Sequence, residues 1–149
     1  MVLKMEVFKL EPSHIKEVYD IRFSVTENLV HPHQIEYLQR QQVIEDIAQG
    51  GGWIVQINGE FVGYGLGIFI PHALIGGLFV RPEFQGKGVG TEILTRITEW
   101  FFENGCVEIE LTTDADSKAA RFYAYNGWEQ DGLDEFKQLV MRKKKSSHV

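Results

Sequence analysis

Cysteine occurs once in this 149-residue chain, at Cys106, which forbids an internal disulfide and fits a reducing compartment. Long apolar runs are missing as well: no stretch approaches the ~18–20 residues that span a bilayer. Met1 to Glu6 lack the basic-then-apolar layout of a signal peptide. No repeat, low-complexity tract or Pro/Ser-rich linker interrupts the chain, so it offers no domain boundary. Cations are scarce, fifteen Lys and Arg against twenty-one Asp and Glu, for a net charge of −6. Four of the fifteen stand at Arg142, Lys143, Lys144 and Lys145, which leaves eleven against twenty-one, or −10, on residues 1–141. Such a body repels phosphate backbones, so no nucleic acid and no membrane is expected as partner. No Ser-His-Asp order or nucleophile elbow supports hydrolase chemistry. His31 and His33 lack a third nearby ligand, so no metal site is expected. The expectation is a cytoplasmic protein with one domain over 1–141 and a disordered basic tail over 142–149.

The composition that remains is that of a globular domain, with 44% hydrophobic and 24% charged residues. A strand is predicted over 5–10, then a helix from Pro12-Ser13 with Ile15, Val18, Ile21 and Val25 at helical spacing. After His31-Pro32-His33, a second helical run places Ile35, Leu38, Ile44 and Ile47 on one side, and Gly50-Gly51-Gly52 ends it. Strands over 53–57 and 60–70 flank Asn58-Gly59, a strong hairpin signal. Pro71-His72 turns into a third strand over 73–80, loosened by Gly76-Gly77. Val89, Ile93, Ile97, Trp100 and Phe101 then mark one face of a helix. A strand over 107–112, a helix over 116–125 and a final antiparallel pair over 128–131 and 136–141 complete the order β-α-α-β-β-β-α-β-α-β-β. This is an α+β protein with helices on both faces of a mixed sheet. Trp53, Trp100 and Trp128 read as core or cleft wall, and Cys106 as a small buried hydrophobe.

The chemistry concentrates in Leu78-Phe79-Val80-Arg81-Pro82-Glu83-Phe84-Gln85-Gly86-Lys87-Gly88-Val89-Gly90-Thr91, a strand, a glycine-rich turn and a helix start. Glycines let backbone N–H groups converge where a Cβ would clash, and the positive end of the following helix dipole adds to them. Together they make an anion site, with Lys87 beside it. The Walker A pattern fails because Lys87 precedes the last glycines with no Ser or Thr directly after it. The dinucleotide pattern fails because Gly86, Gly88 and Gly90 are spaced two by two.

Gln85-Gly86-Lys87-Gly88-Val89-Gly90 fits Q-x-x-G-x-G and resembles the pyrophosphate-binding motif of the GNAT superfamily of N-acetyltransferases. Asp116 to Trp128 is similar to the family's second segment, N-x-x-A-x-x-F-Y-x-x-x-G-[FW], with Asp116 where Asn is common. The resemblance spans nearly the whole chain. It implies a mostly antiparallel sheet with a splay between the fourth and fifth strands, acetyl-CoA as co-substrate, and an amine acceptor. It implies cofactor contacts at Leu78, Phe79, Val80, Gln85, Gly86, Lys87, Gly88, Val89, Gly90, Thr91, Asp116, Phe122 and Tyr123, and a homodimer. Tyr123 would be the acid that protonates the departing thiolate, since a phenol's pKa of about 10 lies above that of a thiol. Phe122 on its own residue type reads first as core packing.

In the same picture Gly76-Gly77 marks a bulge, with a backbone N–H there steadying the oxyanion. Arg81, Lys118 and Arg121 are candidate phosphate partners. A base is expected as well. Many relatives carry a Glu on the strand before the glycine loop, where this chain has Ile75-Gly76-Gly77-Leu78. Glu27, in a V-x-E-N stretch, is the leading substitute and His72 the runner-up. The expected acceptor is a small primary amine. A protein amino terminus or lysine, a non-catalytic acyl-CoA sensor and an interaction module stay open.

Overall fold

Asn58 and Gly59 both take positive φ, 50° and 82°, and reverse the chain between β2 (Gly51–Ile57) and β3 (Glu60–Ile68). Around that hairpin a computed structural model describes residues 4–70 and 72–146. Pro71, read with His72 as a turn, lies outside the described residues, as do Met1, Val2, Leu3, Ser147, His148 and Val149. β1 (Met5–Lys9) pairs antiparallel with β2, and β3 pairs antiparallel with β4 (Leu74–Val80). β5 (Glu108–Thr113) pairs antiparallel with β7 (Leu139–Lys144), which also carries β6 (Glu129–Leu133). The strand order is β1-β2-β3-β4-β5-β7-β6.

The expected splay is present. Among the described residues β4 and β5 are the one parallel pair, and they meet only where Leu74 stands opposite Glu110. Beyond that point the two strands part, and residues 75–80 of β4 have no ladder partner on that side. A bulge at Gly76 interrupts the β3–β4 register, because Leu66 faces Gly77 while Gly67 faces Ile75.

Helices cover both faces. α3 (Val89–Glu103) packs on β2, β3 and β4, and with α4 (Lys118–Tyr125) on the same side it shares one core that buries Ile93, Ile97, Phe101, Ile109 and Met141. α1 (Ile15–Arg22) and α2 (Arg40–Ala48) cover the opposite face over Ile54, Tyr64, Leu66 and Ile68. β3 alternates accordingly, with bulky residues toward α1 and α2 and glycines toward α3. At Gly65 an added Cβ would lie 2.5 Å from Ile93 Cγ2, so the close approach of α3 requires glycine there. No helix among the described residues is long and apolar enough to cross a membrane.

Several expectations need correcting. The first helix ends at Arg22, so Val25 sits in the following loop. The second run is split: Pro32–Leu38 is a 3-10 turn, Gln39 is extended, and only then does α2 begin. Ile35 is consequently 57% exposed, because a three-residue turn rotates it away from the face that buries Val43 and Ile47. Of Gly50-Gly51-Gly52, Gly50 alone has positive φ, while Gly51 and Gly52 are strand residues. The last strand runs to Lys144, so Arg142, Lys143 and Lys144 belong to the sheet and not to a tail. Arg142 bridges Glu108, Glu110 and Asp131, and Lys143 Nζ donates to the Asn126 carbonyl at 2.8 Å. Their carboxylate and carbonyl partners hold these cations in register.

Candidate active site

The parting of β4 from β5 opens a cleft of about 1200 Å³ that reaches both faces of the sheet. One end of it is the glycine loop. Gly86 and Gly88 take φ of 76° and 88°, a region that strains any residue with a Cβ, and nothing stands within 4 Å of where that Cβ would be. Gly88 is the N-cap of α3 and no side chain caps the helix, so its first-turn N–H groups stay available to an anion. This bare cradle suits an anion such as a pyrophosphate. Gln85 shapes it from outside, its Nε2 donating to the Val80 carbonyl at 3.0 Å. At Gly90 a Cβ would meet Phe122 Cζ at 3.2 Å, so α3 and α4 touch closely behind the loop.

Leu78, Phe79 and Val80, with Gln85, Gly86, Gly88, Gly90, Thr91, Phe122 and Tyr123, all line the cleft. Lys87, Val89 and Asp116 do not. Lys87 is exposed on the loop, Val89 is a core residue on the inner face of α3, and Asp116 turns away at φ 59° beside a separate recess of about 460 Å³. Arg81 is spent on the hairpin, donating from Nε to the Phe61 carbonyl at 3.0 Å. Arg121 caps its own turn on the Asp116 carbonyl at 3.1 Å. Lys118 alone of the three candidate cations lines the cleft.

Tyr123 is 6% exposed, and its ring meets Phe122 and Trp128 edge-on at 5.3 and 5.7 Å. Burial pushes its phenol above the ordinary value near 10. The group therefore carries its proton at any physiological pH.

The other end of the cleft is built by the α1–α2 connection. Glu27 lines it, but Oε1 accepts the backbone N–H of Lys118 at 2.9 Å, so this carboxylate also holds the first turn of α4. Its neighbour Asn28, at φ 53°, clamps the loop to the end of β5. Asn28 Oδ1 accepts from Thr113 Oγ1 and the Asp114 N–H, and its carbonyl accepts from Arg22. Asp114 Oδ1 in turn pairs with His31 Nε2 at 2.9 Å and accepts from Gln138. His33 stacks on Phe136 at 3.7 Å. His72 also lines the cleft, exposed, its Nε2 2.9 Å from Glu110 Oε2. Cys106 is half-buried at the edge of the core, and burial raises its thiol.

Three cleft residues escaped the sequence reasoning. Asp46 on α2 is 8% exposed, bonded by Gln42 Nε2 at 2.9 Å, and burial raises its carboxyl. Tyr64 is buried, with its hydroxyl 3.7 Å from the Cβ position of Gly77 at the parting of the strands. Arg22 is buried as well, lying over the Phe79 ring. The signal available for Asp46 was an acid amid the apolar spacing of Val43 and Ile47. For Arg22, at the end of a helix, the sequence carried none.

The sequence model of the family described as Acetyltransferase (GNAT) family matches residues 15–128. Among curated proteins, thialysine N-epsilon-acetyltransferase of Mus musculus is 33% identical over 73 residues, 44% of this chain and 43% of that protein. The match thus spans under half the length of this relative. Among solved structures, PaiA N-acetyltransferase from Thermoplasma acidophilum in complex with coenzyme A superposes with a TM-score of 0.77 at 17% identity, covering 95% of this chain and 99% of that one. Ribosomal-protein-S18-alanine N-acetyltransferase from Escherichia coli superposes with a TM-score of 0.73 at 15% identity, covering 98% and 97%. At these identities the superpositions speak to the fold.

Proposed function

The chain belongs to the acetyltransferase (GNAT) family, and from that premise we propose that it is an acetyl-CoA-dependent N-acetyltransferase whose acceptor is the primary amine of a small molecule. The observation that carries this reading is the bare glycine cradle at the start of α3, opening into the same cleft as Tyr123 and the unpaired edge of β4. When bound, acetyl-CoA supplies the acetyl group as an activated thioester. Gly86, Gly88 and the first turn of α3 hold its pyrophosphate, and the main chain of residues 75–80 offers an unpaired edge to the pantetheine arm. Tyr123 Oη holds a proton for the leaving sulfur, and its burial keeps that proton in place until then.

Glu27 is the base, drawing the proton from the acceptor ammonium through the oxygen not engaged by Lys118, directly or through water. A second reading gives that work to Asp46, a cleft-lining carboxyl that burial raises above its ordinary value. An excess of acid on the chain steers a cationic acceptor toward the cleft. The thialysine enzyme is named for transfer to an N-epsilon amine, which supports an amine on a small molecule over a protein terminus.

Calorimetric titration of acetyl-CoA, with Gly88→Asp as control, tests the reading. Micromolar binding that the added carboxylate abolishes supports it, and release of free thiol with candidate amines then separates an enzyme from a sensor. Failure of the wild-type chain to bind acetyl-CoA overturns it. Sedimentation decides whether the chain works as the homodimer that the family resemblance implies.

A further inference from the structure

Arg22 ends α1, is 7% exposed, and forms no ion pair with any carboxylate among the described residues. A buried charge left without a counter-charge is costly, so its retention needs a reason. One hydrogen bond accounts for a small part of its donor capacity: Nη2 donates to the Asn28 carbonyl at 2.8 Å. The guanidinium lies over the Phe79 ring, 4.1 Å from its centroid, which occupies one face of the fork and leaves the donor-bearing edge free. Arg22 lines the cleft, and none of its nitrogens is sealed from solvent without a partner. The charge of Asp114 reaches it, but Asp114 Oδ1 is already taken by His31 and Gln138. Phe79 belongs to the stretch of β4 that parts from β5, so this free edge stands beside the place of transfer. Asp46, a carboxyl on α2, lines the same cleft.

We propose that the acceptor carries a carboxylate beside its amine, as a free amino acid does, and that Arg22 grips that carboxylate; this rests on the acetyltransferase reading above. A planar carboxylate matches the edge of a stacked guanidinium through two parallel N–H donors, a specificity that a lysine at this place would lack. Arg22 is thus a specificity-determining residue with no part in the bond-breaking itself.

The test uses matched acceptors: L-lysine against 1,5-diaminopentane, L-alanine against ethylamine, and O-phosphoethanolamine as an amine with a different anion. Expected for the wild type is a kcat/KM preference of about 10- to 100-fold for the carboxylate-bearing member of each pair, the range of one charge-assisted contact. In Arg22→Gln the preference collapses through a raised KM for the amino acid, while acetyl-CoA binding by calorimetry persists. Arg22→Lys recovers only part of it, and serves where the glutamine variant does not fold. Independently of turnover, L-lysine raises the melting temperature of the coenzyme-A-loaded wild type and 1,5-diaminopentane does not. Equal or better turnover of the amines lacking a carboxylate overturns the inference, as does a preference that survives in Arg22→Gln. Preference for O-phosphoethanolamine over L-alanine overturns the carboxylate assignment. Absence of acetyl-CoA binding by the wild type, seen before any acceptor is added, overturns the acetyltransferase reading and this inference with it.

Discussion

Asn28 Oδ1 accepts the backbone N–H of Asp114 at 2.6 Å, tying the loop after α1 to the end of β5 across 86 positions of sequence. The same oxygen accepts from Thr113 Oγ1 at 3.0 Å. Asn28→Gly keeps the left-handed backbone and removes only that clamp. A loss of about 1–2 kcal/mol is expected, a fall of roughly 2–6 °C in melting temperature, with a raised KM for acceptor and unchanged binding of acetyl-CoA. An unchanged acceptor KM would show that the clamp does not shape the acceptor end.

Gly65 and Gly88 are glycine for different reasons, and their alanine variants separate them. Gly65→Ala pushes a methyl into Ile93 and costs about 1–3 kcal/mol of stability, with acetyl-CoA affinity nearly intact per folded molecule. Gly88→Ala meets open space but strains a φ of 88°, at about 1–2 kcal/mol. Its larger effect falls on affinity, because the cradle's N–H groups shift. Chemical denaturation and calorimetry on both variants check the contrast.

Tyr123→Phe retains the packing against Phe122 and Trp128 and removes the proton. A fall in kcat of about a hundredfold or more is expected, with little change in KM for acetyl-CoA or in melting temperature. A variant within threefold of wild type excludes Tyr123 as the acid.

Burial raises the phenols of both Tyr64 and Tyr123 in the folded state, while the unfolded chain ionises them near pH 10. Their contribution to stability is complete below pH 10 and is lost as pH climbs above it, because only the unfolded chain gains by releasing the protons. Unfolding free energy measured from pH 9 to 11 should fall with rising pH, less steeply in Tyr64→Phe and Tyr123→Phe. Equal slopes in all three proteins contradict this.

Asp46 runs the opposite way from an ion-paired carboxylate. Its folded pKa is raised above the ordinary value near 3.9, so it favours folding in its protonated form, and stability from this group grows as pH falls through that raised value. Asp46→Asn should therefore be no less stable than wild type at neutral pH, with Gln42 still donating to the amide oxygen. The acid limb of the kcat/KM profile decides the base: it disappears in Glu27→Gln if Glu27 draws the proton, and in Asp46→Asn if Asp46 does.

Much of the fold was legible because it is written in short-range terms. Asn58-Gly59 dictates its hairpin by backbone preference, Ile93, Ile97 and Phe101 by their spacing, and the loop from Gln85 to Thr91 by residues that only a bare helix start tolerates. Of the cleft residues beyond the glycine loop, Glu27 and His72 were named from the sequence, whereas Arg22, Asp46 and Tyr64 were not legible. Ile35 follows the same apolar spacing as Ile47 and ends up exposed, because a 3-10 turn intervenes. Arg142 to Lys144 look like a solvated run and become a strand because Glu108, Glu110 and Asp131 wait on its neighbours.

By itself, then, the sequence determined the order of elements, the glycine cradle and the tyrosine beside it, all consequences of local backbone geometry and side-chain period. Only the tertiary structure decided that Arg22 would be buried against Phe79, that Asp46 would stand in the cleft, and that Asn28 would hold Asp114. Those relationships depend on which surfaces meet when two helices and a splayed sheet pack together. A charge or an amide shows where it will stand only once the burial of its neighbours is settled.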